Sequence, residues 1–299
     1  MEKLHLYLHR ELCDQAVAGR FNLANRMAAA IAPLGMTLAF HPDTAIERAR
    51  ATSRPGWSLF HMHEPQGPRC LNLRRAYHYP FWRIEATNER WNFDVAQAAF
   101  DPAGVDPEAA RRFAAFWRAR IHGDAVPRRQ GFVLVPLQGR LTECRSFQSM
   151  SPLAMIETVL EATPQREIRV SLHPGEVYIP EEVEALETLA TRHPRLRIVP
   201  AAPALLADCD HVVTQNSSVA LNGFFLGKRA VLFARIDFHH IAGSVPRDGL
   251  AAAFDSLHAP APEFDRYLYW FFHHRCINGG SPDAEGQILS ALRRHGWPH

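Results

Sequence analysis

The chain has 299 residues, of which 47% are hydrophobic and 21% charged, an ordinary balance for a folded globular protein. A formal net charge of +2 leaves no broad basic field for nucleic acid. No run reaches the ~18 apolar residues that a spanning helix needs; the longest, 27–40, is broken by Pro33 and Gly35.

Residues 4–8 open the chain as an alternating strand with no charged leader and apolar block, so no secretion signal is expected. A helix is expected over 22–32 with Asn22 as its N-cap, then strands over 36–40 and 57–61. The stretch 63–100 reads as irregular and aromatic, carrying Tyr77, Tyr79, Phe81, Trp82, Trp91 and Phe93. Its rings read as core with snorkelling arginines more readily than as a sugar-stacking surface. A helix over 107–121 follows, capped by Asp106. The turn-rich, basic stretch 122–131 is the expected linker. It divides a first domain (1–125) from a second (126–299), whose last helix is expected to cross back.

Beyond residue 131 strands and helices alternate more cleanly. Strands are expected at 132–137, 168–172, 196–199, 211–214 and 230–234, and helices at 151–161, 180–193, 203–207 and 217–226. Helices at 262–275 and 284–295 close the chain. Such alternation predicts parallel sheets covered on both faces. Cys13, Cys70, Cys144, Cys209 and Cys276 are scattered without a CxxC pair. Neither a zinc knuckle nor a disulfide framework is indicated, and a reducing, cytoplasmic location is expected.

Two segments carry anion-binding signals in order. In Arg169-Val170-Ser171-Leu172-His173-Pro174-Gly175-Glu176, a β-type run ends in His-Pro. Proline restricts His173 to extended backbone and holds its imidazole at the sheet edge. In His211-Val212-Val213-Thr214-Gln215-Asn216-Ser217-Ser218, a strand leads through a polar turn into a helix. Asn216, Ser217 and Ser218 can cap that helix and offer first-turn N–H groups to an anion. Each signal alone has a plain alternative: a solvent-facing strand terminator for His173, an ordinary N-cap for Ser217.

Together they resemble the donor domain of bacterial glycosyltransferases of GT-B fold, among them sialyltransferases and capsule Kdo transferases. Val133-Leu134-Val135-Pro136-Leu137-Gln138 adds to this. It resembles the "PLQ" strand end of capsular polysaccharide synthesis proteins. The resemblance covers residues 132–238 and is weak before Gly123. It implies an α/β, GT-B-like architecture of two Rossmann-like domains with parallel sheets around a cleft. The implied reaction moves a sugar, Kdo or another acidic sugar from a CMP donor, to a surface or capsular glycan or glycolipid. It implies no metal or other cofactor beyond the nucleotide-sugar substrate, and peripheral association with the inner membrane or capsule assembly proteins. His173 and the serine-headed helix would contact the nucleotide phosphate.

The chain departs from that family at one point. An aspartate usually follows the glutamine by a few residues. Here Gln138-Gly139-Arg140-Leu141-Thr142-Glu143 offers only Glu143. It is either the base or nucleophile at the anomeric carbon or a solvated loop charge. Gln138, Arg140 and Glu176 are candidate donor contacts, each with a solvated-loop alternative, and Arg145 is a further candidate anion ligand.

His61, His63 and Glu64 are assigned to the acceptor. On a strand the two histidines would share a face, which permits metal ligation, but no second ligand cluster accompanies them. Asp237-Phe238-His239-His240 ends another strand; adjacent histidines on extended backbone should point apart, which disfavours a metal there too. No GxSxG elbow and no GxxxxGK[ST] loop occurs, which sets aside serine hydrolysis and P-loop chemistry. The competing readings are a catalytically inactive GT-B-like nucleotide- or glycan-binding protein of a capsule assembly complex, and a sugar-nucleotide epimerase.

Overall fold

The computed structural model describes residues 2–200 and 202–297. In chain order the elements are β1 (Lys3–Leu8), α1 (Arg10–Val17), α2 (Asn22–Ile31), β2 (Thr37–Pro42), α3 (Ala45–Ala51), β3 (Trp57–His61), β4 (Cys70–Arg75), β5 (Phe81–Glu85), α4 (Asp94–Gln97) and α5 (Pro107–His122). Then come β6 (Phe132–Pro136), α6 (Pro152–Ala162), β7 (Glu167–Ser171), α7 (Pro180–Arg192), β8 (Leu196–Ile198), α8 (Ala202–Leu205), β9 (His211–Thr214), α9 (Ser218–Phe224) and β10 (Arg229–Leu232). β11 (Gly243–Ser244), α10 (Val245–Asp248), α11 (Leu250–Asp255), α12 (Phe264–Tyr269), β12 (Ile277–Asn278) and α13 (Ala284–Arg294) complete the chain.

The chain forms two compact units. The first takes in the residues up to Ala98 and those from Phe271 onward; the second is Ala99–Trp270. Each is built on a six-stranded sheet among the described residues.

In the first unit the strand order is β2-β1-β3-β4-β5-β12. β1 pairs in parallel with β2 and β3, and β3 with β4; β5 and β12 run antiparallel. Leu4, Leu6 and Leu8 of β1 join Leu23, Met27 and Ile31 of α2 and Ile288 and Leu292 of α13 in one core. β4 and β5 lie inside the stretch expected to be irregular. Asn72 and Arg74 in one, and Arg83 and Glu85 in the other, mask their strand pattern. Arg83 does not snorkel: it is buried, donates to the Arg275 carbonyl at 2.7 Å, and lies 4.6 Å from the centre of the Phe271 ring. Asn22 is not the cap of α2. Phe21 takes that position, and Asn22 donates from the first turn to the Gly279 carbonyl.

In the second unit the order is β8-β7-β6-β9-β10-β11, and all neighbouring pairs are parallel. This is the Rossmann order, with β6 as the central first strand. All five residues of β6 are buried, as expected for a strand covered on both faces. Val133, Val135, Ile156, Val159, Ile168, Val170, Leu186 and Val213 form the core around it.

The division of the chain falls at Ala98/Ala99, not near residue 125. The stretch 122–131 is held within the second unit. Arg128 and Gln130 N–H groups donate to the Ala207 and Asp208 carbonyls at 2.7 and 3.0 Å. The buried Lys228 ammonium donates to the carbonyls of Arg128 and of Cys209. α5 joins the same unit, where Phe113 meets Tyr269 edge-on at 5.5 Å. The helix expected over 262–275 is α12 followed by π-helical turns at Trp270–His274. No helix among the described residues is long and apolar enough to cross a membrane.

Candidate functional site

In the second unit the sheet order reverses between β6 and β9, and ligands of open α/β sheets bind outside the carboxyl ends of strands at such a point. Gln138 follows β6, His173 follows β7, and Gln215-Asn216-Ser217 follow β9. β6 lies between the other two, so all three turns leave one edge of the sheet side by side. The Thr214 hydroxyl donates to the Pro136 carbonyl at 2.8 Å and ties the ends of β9 and β6 together.

His173 is exposed and firmly oriented. Its Nδ1 accepts the Gly175 N–H at 3.0 Å, and its backbone N–H donates to the Tyr178 hydroxyl at 2.8 Å. An occupied Nδ1 acceptor puts the proton of the neutral ring on Nε2, which therefore presents a donor. Burial pushes the Tyr178 pKa up and keeps its hydroxyl neutral. Glu176 folds back over the loop after β6. A Cβ on Gly139 would lie 2.6 Å from the Glu176 Oε2, so a side chain there would push the carboxylate aside. That loop is anchored to α7: buried Glu182 accepts the N–H groups of Leu141 and Ile179.

The serine turn is tighter than expected. Ser217 Oγ accepts the Val219 N–H at 3.3 Å and Ser217 O accepts the Ala220 N–H at 3.1 Å. Two first-turn amides are thereby consumed by the cap itself. Asn216 and Ser217 are buried and Ser218 is exposed. Gln138 is half-buried, with its Oε1 buried and unpartnered. Glu143 and Arg140 pair at 3.1 Å, their side chains 59% and 64% exposed.

Arg145, a candidate anion ligand from the sequence, has its Nε buried without a partner. Two further residues, Gln148 and Gln215, escaped the sequence reading as site members. Gln215 donates to the Met150 carbonyl, but its Oε1 is buried without a partner; so is Gln148 Nε2. Isolated glutamines follow no spacing rule, so only geometry reveals them.

The acceptor candidates sit at the equivalent edge of the first unit. β3 ends at His61, and Met62 has φ +61°, so His61 and His63 do not share a strand face. His61 lies 5.8 Å from the His9 ring, centre to centre; burial first, then nearby His9, Arg74 and Arg75, lowers its pKa to about 4. His63 contacts Asp43 at 2.6 Å. Glu64 braces the neighbouring loop by accepting the Asn88 N–H at 2.6 Å and the Thr87 hydroxyl at 3.2 Å. His239 and His240 do not point apart. They stack at 4.3 Å, because the backbone turns after the strand.

One group among the described residues brings three potential metal ligands together: Glu85, Asp94 and His295. Arg294 pairs with Asp94 at 2.9 Å and His295 Nε2 lies 2.9 Å from the Ile84 carbonyl, so both are already engaged.

No protein-family model and no curated protein matches the sequence. Solved structures do match. A Thermosulfurimonas dismutans KpsC described as a beta Kdo 2,7 transferase superimposes with a TM-score of 0.52, over 97% of this chain and 99% of that one, at 13% identity. The fold is of the GT-B type. At this identity the likeness is one of fold. The beta Kdo 2,4 transferase of the same organism's KpsC gives a TM-score of 0.47 over 89% of this chain and 88% of that one, at 13% identity. A Neisseria meningitidis UDP-GlcNAc 2-epimerase gives 0.33 over 98% and 100%, at 9% identity. These two are too distant to argue from.

Proposed function

We propose that the protein is a glycosyltransferase that moves a sugar from a nucleotide donor, CMP-linked Kdo or another acidic sugar, to a surface or capsular glycan. One observation carries this reading: His173 presents an Nε2 donor beside the turns of Gln138 and Ser217 at the reversal point of the second sheet. Transfer needs an acceptor hydroxyl to attack the anomeric carbon. The bond from that carbon to the phosphate oxygen breaks, and the nucleotide leaves with the electron pair. A donor fixed where that charge develops lowers the barrier. His173 supplies it, Gln138, Arg140, Glu176, Asn216, Ser217 and Ser218 hold the donor, and Glu143 takes the acceptor proton. His61 and His63, with the Glu64-braced loop, serve the acceptor. The scheme uses no metal ion and suits an enzyme at the cytoplasmic face of the inner membrane beside capsule assembly proteins.

The test is nucleotide release from CMP- and UDP-linked sugars by purified protein, with and without chelator. Release from a CMP-sugar that survives chelation and is lost in His173→Ala supports the proposal. A second reading, a nucleotide- or glycan-binding protein without turnover, is favoured by one observation: Glu143 is the sole carboxylate of its loop and is already paired with Arg140. Tight CMP binding without release from any donor selects that reading.

A further inference from the structure

The loop after β6 carries two arginines in different states. Arg140 is neutralised by Glu143. No carboxylate among the described residues pairs with Arg145. Its guanidinium carbon lies 4.9 Å from the centre of the Phe147 ring, and its Nε is buried with no acceptor. Gln148, only 9% exposed, accepts the Arg145 backbone N–H on Oε1 at 2.8 Å. That bond fixes which end of the amide is which, and Nε2 is also buried with no acceptor.

This segment is not slack. Ser149 N–H donates to the Phe233 carbonyl and Arg235 N–H to the Phe147 carbonyl, each at 2.8 Å, and Gln215 donates to the Met150 carbonyl at 3.0 Å. The two donors are thus held at the ends of β9 and β10, on the edge that carries the donor-binding turns. Native interiors rarely leave a buried N–H unmade, and a charged one least of all. The missing partner must supply acceptors only. An oxyanion does so, and a guanidinium with an adjacent amide N–H matches it.

We propose that Arg145 and Gln148 form the oxyanion receptor of the donor site, taking a phosphate or carboxylate oxygen of the nucleotide sugar. The inference rests on the donor-binding reading above and adds residues to it. Calorimetric titration of the whole protein with CMP, UMP, cytidine and a free 2-keto sugar acid tests it, alongside melting temperature. Arg145→Gln weakens the receptor's ligand at least 10-fold, Gln148→Leu weakens it less, and Arg145→Lys restores affinity only in part, because lysine lacks the planar fork. Loss confined to CMP and UMP, with cytidine unaffected, identifies the oxyanion as phosphate. Loss confined to the sugar acid identifies it as carboxylate. Unchanged affinity in both Arg145→Gln and Gln148→Leu, with binding intact in the parent, overturns the inference alone, whatever happens to melting. A parent protein that binds none of the probes overturns it together with the donor-binding reading.

Discussion

In the first unit, the carboxylates that follow the parallel strands are engaged by their neighbours: Asp43 by Arg48 and His63, Glu47 by Arg50 and Arg54, Glu64 by Asn88 and Thr87. In the second unit, the carboxyl edge of an all-parallel sheet leaves Gln138 Oε1, Gln215 Oε1, Gln148 Nε2 and Arg145 Nε buried and unpartnered. The first edge pairs its carboxylates internally, though Asn72 Oδ1 on β4 is buried without a partner; the second holds several such atoms, at a cost in stability. The difference teaches where to look for ligand: polar groups left unmade at a strand-order reversal are more informative than histidine count, in which the first edge is the richer.

Substitutions at the second edge should alter donor binding and turnover, whereas those at the paired carboxylates of the first unit should alter stability and leave donor binding unchanged. The largest effect belongs to His173→Ala. It removes the oriented Nε2 donor and should lower nucleotide release by about 10²–10³-fold, the range seen when one oxyanion donor is lost. Because the side chain is exposed, the melting temperature should stay at the parent value. Equal loss of turnover and of stability would show that the second edge is a structural network like the first.

The next effect is a pH dependence in the first unit. Glu85 is 3% exposed, and burial raises its pKa to about 7, against the opposing pull of Arg83. A raised carboxyl pKa means that the folded chain holds the proton more tightly than the unfolded chain does. The resulting stability is complete below the unfolded value of about 4.5 and is lost as pH rises through 7. The difference amounts to on the order of 3 kcal/mol. Glu85→Gln keeps an acceptor for the Asp94 N–H and cannot ionise. Its stability gain over the parent should grow from near zero at pH 4.5 to its full size at pH 8, measured by urea unfolding. A parent curve that is flat across this range would place the Glu85 pKa near its ordinary value.

Asp43→Ala should cost about 2 kcal/mol by removing a mostly buried carboxylate and stranding Arg48 and His63. CMP affinity should not change. Weakened CMP binding would show that this carboxylate serves the donor site as well as the fold.

Much of the second unit was legible because its central strands are buried on both faces. Val133, Leu134 and Val135 in β6 and Val212 and Val213 in β9 read as unbroken apolar runs, and β7 alternates Ile168 and Val170 about Arg169. The first unit hid β4 and β5 because Asn72, Arg83 and Glu85 are buried polar residues in strands, and a pattern based on hydrophobicity counts them as breaks. Its boundary was missed for a similar reason: the basic stretch 122–131 looks like a linker until the Lys228 ammonium and the carbonyls of residues 207–209 tie it down. His173 and Ser217 could be read because proline and helix caps leave local signatures. Arg145 could be read as a basic residue of the loop after Gln138; Gln148 and Gln215 could not, since their significance is an absent partner, which only the folded geometry exposes.

The smallest expected effect is also the one that decides between the two functional readings. Glu143 and Arg140 are both more than half exposed, so solvent screens the pair, and its loss in Glu143→Gln should change stability by less than about 1 kcal/mol. Turnover separates the alternatives. If Glu143 leaves Arg140 to take the acceptor proton, Glu143→Gln abolishes transfer while CMP affinity holds. If the carboxylate only pairs with Arg140, the variant matches its parent in every assay, and a parent that also releases no nucleotide leaves the second edge a binding site with an anion receptor and no base.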